Sequence, residues 1–391
     1  MIDFSLSEEQ RAVRDWVRTF VERELMPLEN EVLRREREGH PPGLNGDERR
    51  NLQALARKSD FWGVETPTEY GGMGLDPITA AIIETELGRT FLTFKFGGEA
   101  DNILYYANEE QKERYLLPTI AGERRSCFAI TEPGAGSDAK AIRTRAVRDG
   151  DEWVINGEKT FITSGEEADF AMVFAVTDQD KGANGGVTCF LVDRDMGWTS
   201  EPIDTMGERR PASLVFQDVR VPHANILGEE GHGFTLAMKW IGKGRYLLPA
   251  RALGGCERLL GMAIEHAKSR QTFGAPIADR QAIQWMIADS QMEIEALRLL
   301  VLHAAWQVEQ GRDSRHAQSI AKLFGGVKAN EIVDRVMQIH GGMGYTRELP
   351  IERWYRDLRL LRIFEGTDEI QRRTIARDLL KGHVTVGATL G

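Results

Sequence analysis

Cysteine is scarce in this chain, and the little there is excludes two kinds of fold. Cys127, Cys189 and Cys256 are odd in number, far apart and in no metal-ligand spacing. Neither a disulfide framework nor a metal centre is expected, and a reducing compartment suits such a chain. Long apolar runs are missing too: no segment approaches the ~20 residues that cross a bilayer, so integral membrane association is not expected. Positive charge is in deficit, with 50 Lys and Arg against 60 Asp and Glu and a formal net charge of −10. That acidic average argues against a nucleic-acid surface, while leaving room for a local basic patch that binds phosphates. Asp3, Glu8 and Glu9 stand where a secretory leader needs basic and then apolar residues, so the chain is expected in the cytoplasm. Internal repeats and low-complexity tracts are also lacking.

What is present is an ordinary globular composition. At 391 residues and 41% apolar content, the chain is long enough for two or three domains. Residues 1–126 read as a helical domain: Ser7-x-x-Gln10 and Asn108-x-x-Gln111 are capping signals, Pro27 breaks or kinks the first long segment, and Gly39–Gly43 marks a loop. Further helices are expected near 47–59 and 76–90. Residues 127–232 switch to period-two alternation, with Asp149-Gly150-Asp151 and Asn156-Gly157 as expected hairpin turns, so an antiparallel barrel or sandwich follows. From 233 to 391 the helical period returns. Long segments from about Asp279 to Gln310 and from Ser314 to Gln338 are joined by a short connection, which implies a bundle.

Two stretches carry chemistry. The run from Phe364 to Glu369 places Glu365 on a loop just ahead of a helix start. Thr367 suits the N-cap, Asp368 and Glu369 suit the positive helix end, and Gly366 lets the main chain turn closely around a ligand. Glu365 is then either part of an acidic helix start or a base held in one place. The other stretch, Cys127–Asp138, contains Pro133-Gly134-Ala135-Gly136 flanked by the hydroxyls of Thr131 and Ser137. Such a turn exposes amides suited to flavin edges or phosphate oxygens, and it serves equally as an ordinary β turn. Its Gly134-x-Gly136-x-x-Ala139 spacing imitates a dinucleotide fingerprint. That motif needs a helix after the glycines, whereas Ile142–Val147 alternates.

Together with Asn156–Gly165, and in an order kept from Ser7 to Arg377, these stretches resemble the flavin-dependent acyl-CoA dehydrogenase family over nearly the whole chain. The resemblance implies an α+β multidomain fold: an N-terminal helical domain, a central β domain and a C-terminal four-helix bundle. It also implies an FAD cofactor and a homotetramer or homodimer. By the same resemblance, Phe128, Ile130 and Thr131 border the isoalloxazine, and Phe161 and Thr163 cover its other side. Phe161 stands where many relatives have tryptophan and could otherwise be plain core. Arg270, Thr272, Phe273, Gln281, Gln338, Ile339, Gly341 and Gly342 resemble the adenine and pyrophosphate sites, supplied partly by a neighbouring subunit, and Thr367 and Glu369 join the cofactor set. An arginine fork suits a phosphate, although a lone arginine is more often a solvated surface residue, and paired glycines also stop helices. Near Gln338, His340 reads as structural. Ser137, Arg245, Phe364 and Gly366 are implied contacts of the acyl-CoA. Gly242 stands where medium-chain members have an acidic residue, and Gly244 stands where some relatives carry their catalytic glutamate, which leaves Glu365 as the base.

The implied activity is α,β-dehydrogenation of an acyl-CoA thioester to a trans-2-enoyl-CoA, as in fatty-acid β-oxidation. Glu365 would take the α proton, flavin would accept the β hydride, and an electron-transferring flavoprotein would receive the electrons. The alternatives are an unusual acyl-CoA substrate, an oxidase that uses oxygen, or a non-catalytic binding member. A DNA-binding branch would need a basic surface, which an acidic chain does not favour.

Overall fold

Helix starts follow the capping chemistry. Ser7 and Gln10 close a capping box ahead of helix Glu8–Phe20, and Asn108 and Gln111 close another ahead of Glu109. Asp76 accepts from the Thr79 amide and precedes Pro77, opening helix Pro77–Leu87. After Phe20 the chain passes through a π turn at Val21–Leu25 and a 3₁₀ turn at Met26–Leu28 before Glu29–Arg37 resumes as α-helix. Pro27, which has no N–H to give, accounts for that interruption. The computed structural model describes residues 5–387.

Those residues divide into two compact units. One is helical and takes in the chain up to Ala54, Leu75–Lys95 and the chain from Gly244 onward. Its frame includes the later part of helix Gly233–Ser269, with Gln281–Glu309, Arg315–His340, Ile351–Leu360 and Asp368–Leu380. Leu297, Val301, Ala304 and Ala305 of one long helix and Ala321, Ala329, Ile332 and Val333 of the next are buried. Each Leu, Ile or Val so buried contributes about 1.5–3 kcal/mol. Arg353 is fully buried and is held by Glu36 and Asp357, so its charge is matched rather than stranded.

The other unit comprises Leu55–Gly74 and Phe96–Lys243. Its seven strands are β1 (Ser126–Ala129), β2 (Arg145–Asp149), β3 (Glu152–Ile162), β4 (Phe170–Val176), β5 (Val187–Asp193), β6 (Thr199–Pro202) and β7 (Ala212–Pro222). They pair in the order β1-β4-β2-β3-β7-β6, with β5 also on β4. Strand β4 shows why the sequence here is apolar without a break. Phe170, Met172 and Phe174 point into a core shared with Leu104, Tyr115, Leu116 and Leu227, while Ala171, Val173 and Ala175 point into a second core with Trp153, Ile155, Leu214 and Phe216.

Two expectations change. The sheet is not wholly antiparallel, because β1 and β2 both lie parallel to β4. The chain reaches β4 from β1 and from β2 only after β3 has intervened, and such long paths allow parallel pairing. Asp149-Gly150-Asp151 is the expected turn between β2 and β3, but Asn156-Gly157 lies inside β3 at a register shift against β7. The Asn156 side chain bonds Asp218 across the pair, and a Cβ on Gly157 would lie 2.5 Å from the Thr144 hydroxyl. The dipeptide therefore makes a bulge, where a local sequence reading favours a turn.

Candidate active site

Glu365 belongs to the helical unit and sits in the loop that leads into helix Asp368–Leu380. Thr367 caps that helix by accepting from the Ile370 amide at 3.3 Å, and the Glu369 carboxyl is held low by main-chain amide and Thr367 hydroxyl hydrogen bonds. Both residues of the expected cofactor set thus have local capping work. The loop itself is bent into the left-handed region twice in succession, at Glu365 (φ 51) and Gly366 (φ 92). Glycine adopts that backbone freely, whereas for a glutamate it costs of order 1–2 kcal/mol. A strained non-glycine residue held in place by its surroundings is a mark of function.

What fills the space around the carboxylate was not legible from its neighbours in sequence. An idealised Cβ on Gly244 would lie 2.5 Å from Glu365 Cδ and 2.8 Å from its Oε1. The acid group therefore rests against bare helix backbone, in space that only a glycine leaves open. Arg245, the next residue, has its guanidinium beside Gly366, and its Nε has no hydrogen-bond partner. Burial lowers the Arg245 pKa, Glu365 works against that shift, and Arg315 adds to it. A cation held partly out of water with an unused donor is suited to bind a polar substrate group. Phe364 and Gly366 flank Glu365 and are half-buried.

Gln371 and Lys322 of the loop's setting were missed by sequence reading, and Asp368 was read only as a helix-end acid. The Gln371 amide donates to the carbonyls of Glu365 and Gly366 at 3.3 and 3.2 Å. The Lys322 ammonium donates to the Gly366 carbonyl at 2.5 Å from helix Arg315–His340. Asp368 is 2% exposed and takes a bond from Arg362 at 2.7 Å.

A second cluster lies elsewhere on the same unit. Gln271–Thr272 and Ala275–Pro276 form a two-stranded hairpin whose turn, Phe273 (φ 51) and Gly274 (φ 78), leaves the phenylalanine ring fully exposed. Two positive φ angles are the signature of a type I′ turn, and phenylalanine is a costly residue to put there. Arg270 and Gln281 bracket the hairpin and are exposed. The rings of His266 and His340 stack at 4.4 Å, which packs helix Gly233–Ser269, four residues before Arg270 is reached, against the end of helix Arg315–His340, where Gln338, Gly341 and Gly342 are exposed. His340 is buried and bonded to the Val336 carbonyl, a structural role as expected, and Ile339 is buried. Lys322 and Gln338 are sixteen residues apart on one helix, about 24 Å along its axis. The base loop and the expected pyrophosphate set are therefore well separated within one subunit.

The sheet unit carries the remaining expected residues. Phe161 is 62% exposed, with φ 56 at the second register shift of β3, whereas Lys159, Thr160 and Ile162 around it are buried. The bulge turns an aromatic ring out of the core, which removes plain packing as its explanation. Thr163 is exposed beside it, as is Ser137 on its loop. Added Cβ atoms on Gly134 and Gly136 would meet nothing within 4 Å, so the Pro-Gly-Ala-Gly turn is open to a close approach. Phe128 is less available: Trp240 stacks on it at 3.9 Å and 7°, and Phe174 packs at 4.9 Å. Ile130 has its side chain buried, so only its main chain could reach a ligand, while the Thr131 carbonyl accepts from Thr160 at 2.9 Å.

Beneath this loop lies a buried ion pair. Lys159, with no exposure, donates to Glu132 at 2.8 Å and to the Ile130 carbonyl at 3.1 Å, and Glu132 also accepts from the amides of Arg143 and Thr144. Burial pushes Lys159 down to about 8 against the pull of Glu132. Burial works to raise Glu132, yet Lys159 and the hydrogen bonds hold it below its ordinary value. An exposed ring on a strained bulge, next to an open amide turn braced from below, fits a flavin.

Acyl-CoA dehydrogenase domain families match in chain order: the N-terminal domain over residues 7–123, the middle domain over 127–219 and the C-terminal domain over 231–380. The 3-(aryl)acrylate reductase of Clostridium sporogenes is 38% identical, covering 96% of this chain and 99% of its own. The mitochondrial short-chain specific acyl-CoA dehydrogenase of Homo sapiens is 37% identical, covering 97% and 92%. Butyryl-CoA dehydrogenase of Megasphaera elsdenii superposes with a TM-score of 0.85 at 34% identity, covering 97% of this chain and all of that one. The chain belongs to the acyl-CoA dehydrogenase family, and it is an oxidoreductase with FAD as its cofactor.

Proposed function

We propose that this family member dehydrogenates an acyl-CoA thioester to the trans-2-enoyl-CoA, with Glu365 as the base. The observation that carries the assignment is a carboxylate on a left-handed loop, lodged against the side-chain-free Gly244 and beside the part-buried Arg245. Removing an α proton from a weakly acidic carbon needs a base fixed in place and kept from bulk water, because desolvation raises a carboxylate's affinity for the proton. The Glu365 main-chain N–H donates to the thioester carbonyl as negative charge develops there, and Arg245 and Ser137 hold the CoA end of the substrate. Phe161, Thr163, Thr131 and the Gly134–Gly136 amides hold the flavin ring, with Ile130 contributing main chain and Phe128 a supporting aromatic wall. Bound FAD supplies the acceptor for the β hydride.

The adenine and pyrophosphate part is assigned to Arg270, Thr272, Phe273, Gln281, Gln338, Gly341 and Gly342 of a neighbouring copy, in a homotetramer. Supporting this, Phe273 is fully exposed on a strained turn, and Trp285, Met292 and Leu299 expose apolar area at heptad spacing along helix Gln281–Glu309. Electrons then leave to an electron-transferring flavoprotein, in a step of fatty-acid β-oxidation. A cytoplasmic setting is supported by three unbridged thiols and by the lack, among the described residues, of any helix long and apolar enough to cross a membrane.

The experiment is anaerobic mixing of the FAD-loaded protein with saturated acyl-CoAs of increasing length. Bleaching of the visible flavin band is expected, with loss of at least 10²-fold in rate for Glu365→Gln. Unaltered bleaching in Glu365→Gln would remove the base from the scheme, and fast reoxidation by air would mark an oxidase. The same residues run in reverse would reduce an α,β-unsaturated thioester, a direction favoured by the reductase named among the relatives. Bleaching by enoyl-free substrate separates the two.

A further inference from the structure

The loop that carries Glu365 does not hold its shape by itself. Two consecutive left-handed residues expose two carbonyls that no helix or strand ladder satisfies, and both are met from outside the loop. The second of them, the carbonyl of Gly366, receives the ammonium of Lys322 at 2.5 Å as well as the Gln371 amide at 3.2 Å. Lys322 has no solvent exposure and comes from a different helix, 44 residues away in sequence. The negative charge of Asp368 favours the ammonium through space; its Oδ2 accepts from Arg362 and its Oδ1 has no hydrogen-bond partner. Glu365 and Glu369 add negative charge around Lys322 and Arg245 adds positive charge.

We propose that Lys322 is the positioning residue for the catalytic base: its charged hydrogen bond to the Gly366 carbonyl fixes the left-handed turn that lays the Glu365 carboxylate against Gly244. The inference rests on Glu365 being the base. A charge-assisted bond is roughly twice as strong as a neutral one and cannot be replaced in kind by an apolar side chain. The Gln371 amide alone, a neutral donor at 3.2 Å, is the weaker partner. Burial pushes Lys322 down to about 8, opposed by Asp368 and Glu365, so the ammonium is present at neutral pH and is surrendered in mildly alkaline solution. The clamp therefore loosens with pH in the native enzyme.

The test compares FAD-loaded wild type, Lys322→Met, Lys322→Arg and Glu365→Gln in anaerobic stopped flow with a saturating acyl-CoA. Lys322→Met is expected to keep its flavin and to bind acyl-CoA within about twofold, while bleaching slows ten- to a hundredfold, the loss that a misplacement of about 1 Å produces. Lys322→Arg, which restores a fixed charge, is expected to recover part of the rate and to lack any decline near pH 8. Wild type is expected to lose rate as pH rises through about 8. The groups facing Lys322 are Asp368 and Glu369 from their helix, Glu365 from the loop and Arg245 from helix Gly233–Ser269, and the decline is assigned to Lys322 by its disappearance in Lys322→Met. Should that variant fail to fold, Lys322→Gln, a neutral donor of similar length, takes its place, and a folded neutral variant of either kind with wild-type bleaching overturns the proposal. Glu365→Gln keeps the two ideas apart. If it bleaches normally, the base assignment falls; if it is silent while Lys322→Met is normal, only the positioning role falls.

Discussion

Replacing Gly244 by alanine adds one methyl group where the base now sits. That carbon would overlap Glu365 Oε2 outright and stand 2.5 Å from Cδ and 2.8 Å from Oε1, against an ordinary contact of 3.4 Å or more, so the carboxyl group must retreat by well over 1 Å. The carboxylate is the flexible end of a side chain, and it moves before the helix backbone does. A shift of even about 1 Å at a reacting group costs about 10²-fold in rate, or about 3 kcal/mol of activation free energy. Stability should go the other way, because alanine in a helix interior is favoured over glycine by about 0.5–1 kcal/mol. The expected phenotype is a protein that melts no earlier than wild type, retains FAD and acyl-CoA binding, and bleaches at least about a hundred times more slowly. Stopped-flow reduction and thermal melts of the same preparations measure both halves. Bleaching within twofold of wild type would refute the claim that Glu365 works from the space above Gly244, and a large loss of melting temperature would assign the defect to packing instead.

Three other outcomes are expected. Phe161→Ala should leave the unfolding free energy of the FAD-free protein within about 0.5 kcal/mol, since the ring is mostly exposed, while FAD affinity measured by fluorescence titration falls two- to tenfold, the worth of an aromatic contact; an unchanged affinity would return Phe161 to a structural role. Lys159→Met strands the buried Glu132 carboxylate and should cost about 3–5 kcal/mol in denaturant unfolding, with partial recovery in the double variant with Glu132→Gln. Because the folded Lys159 pKa, about 8, lies below its unfolded value of 10.5, the unfolded chain binds more protons between those limits, so wild type should gain stability relative to Lys159→Met as pH rises from 8 to 10.5. Finally, all three cysteines are buried, and burial pushes Cys127 up to about 12 and the other two higher still; a thiol reagent at pH 8 should find none in the native protein and three after denaturation.

What the sequence determined by itself is local chemistry. Ser7, Asn108 and Thr367 cap helices because each accepts from an amide three residues on, and Pro27 interrupts a helix wherever that helix goes. The apolar periods gave the order of helices, sheet and helices, and the loop motifs pointed to Glu365 and to the Pro133–Gly136 turn. Asn156-Gly157 shows where local chemistry stops deciding: its bulge depends on Asp218, 62 residues on, and on Thr144. Tertiary structure alone decided the rest, because the partners are far apart in the chain. Gly244 matters only because the fold lays Glu365 on it, Lys322 only because its helix passes under Gly366, and Lys159 only because Glu132 faces it inside the sheet unit. A buried lysine looks like any surface lysine in sequence. Its environment, which sets its charge and its work, exists only once the chain has folded.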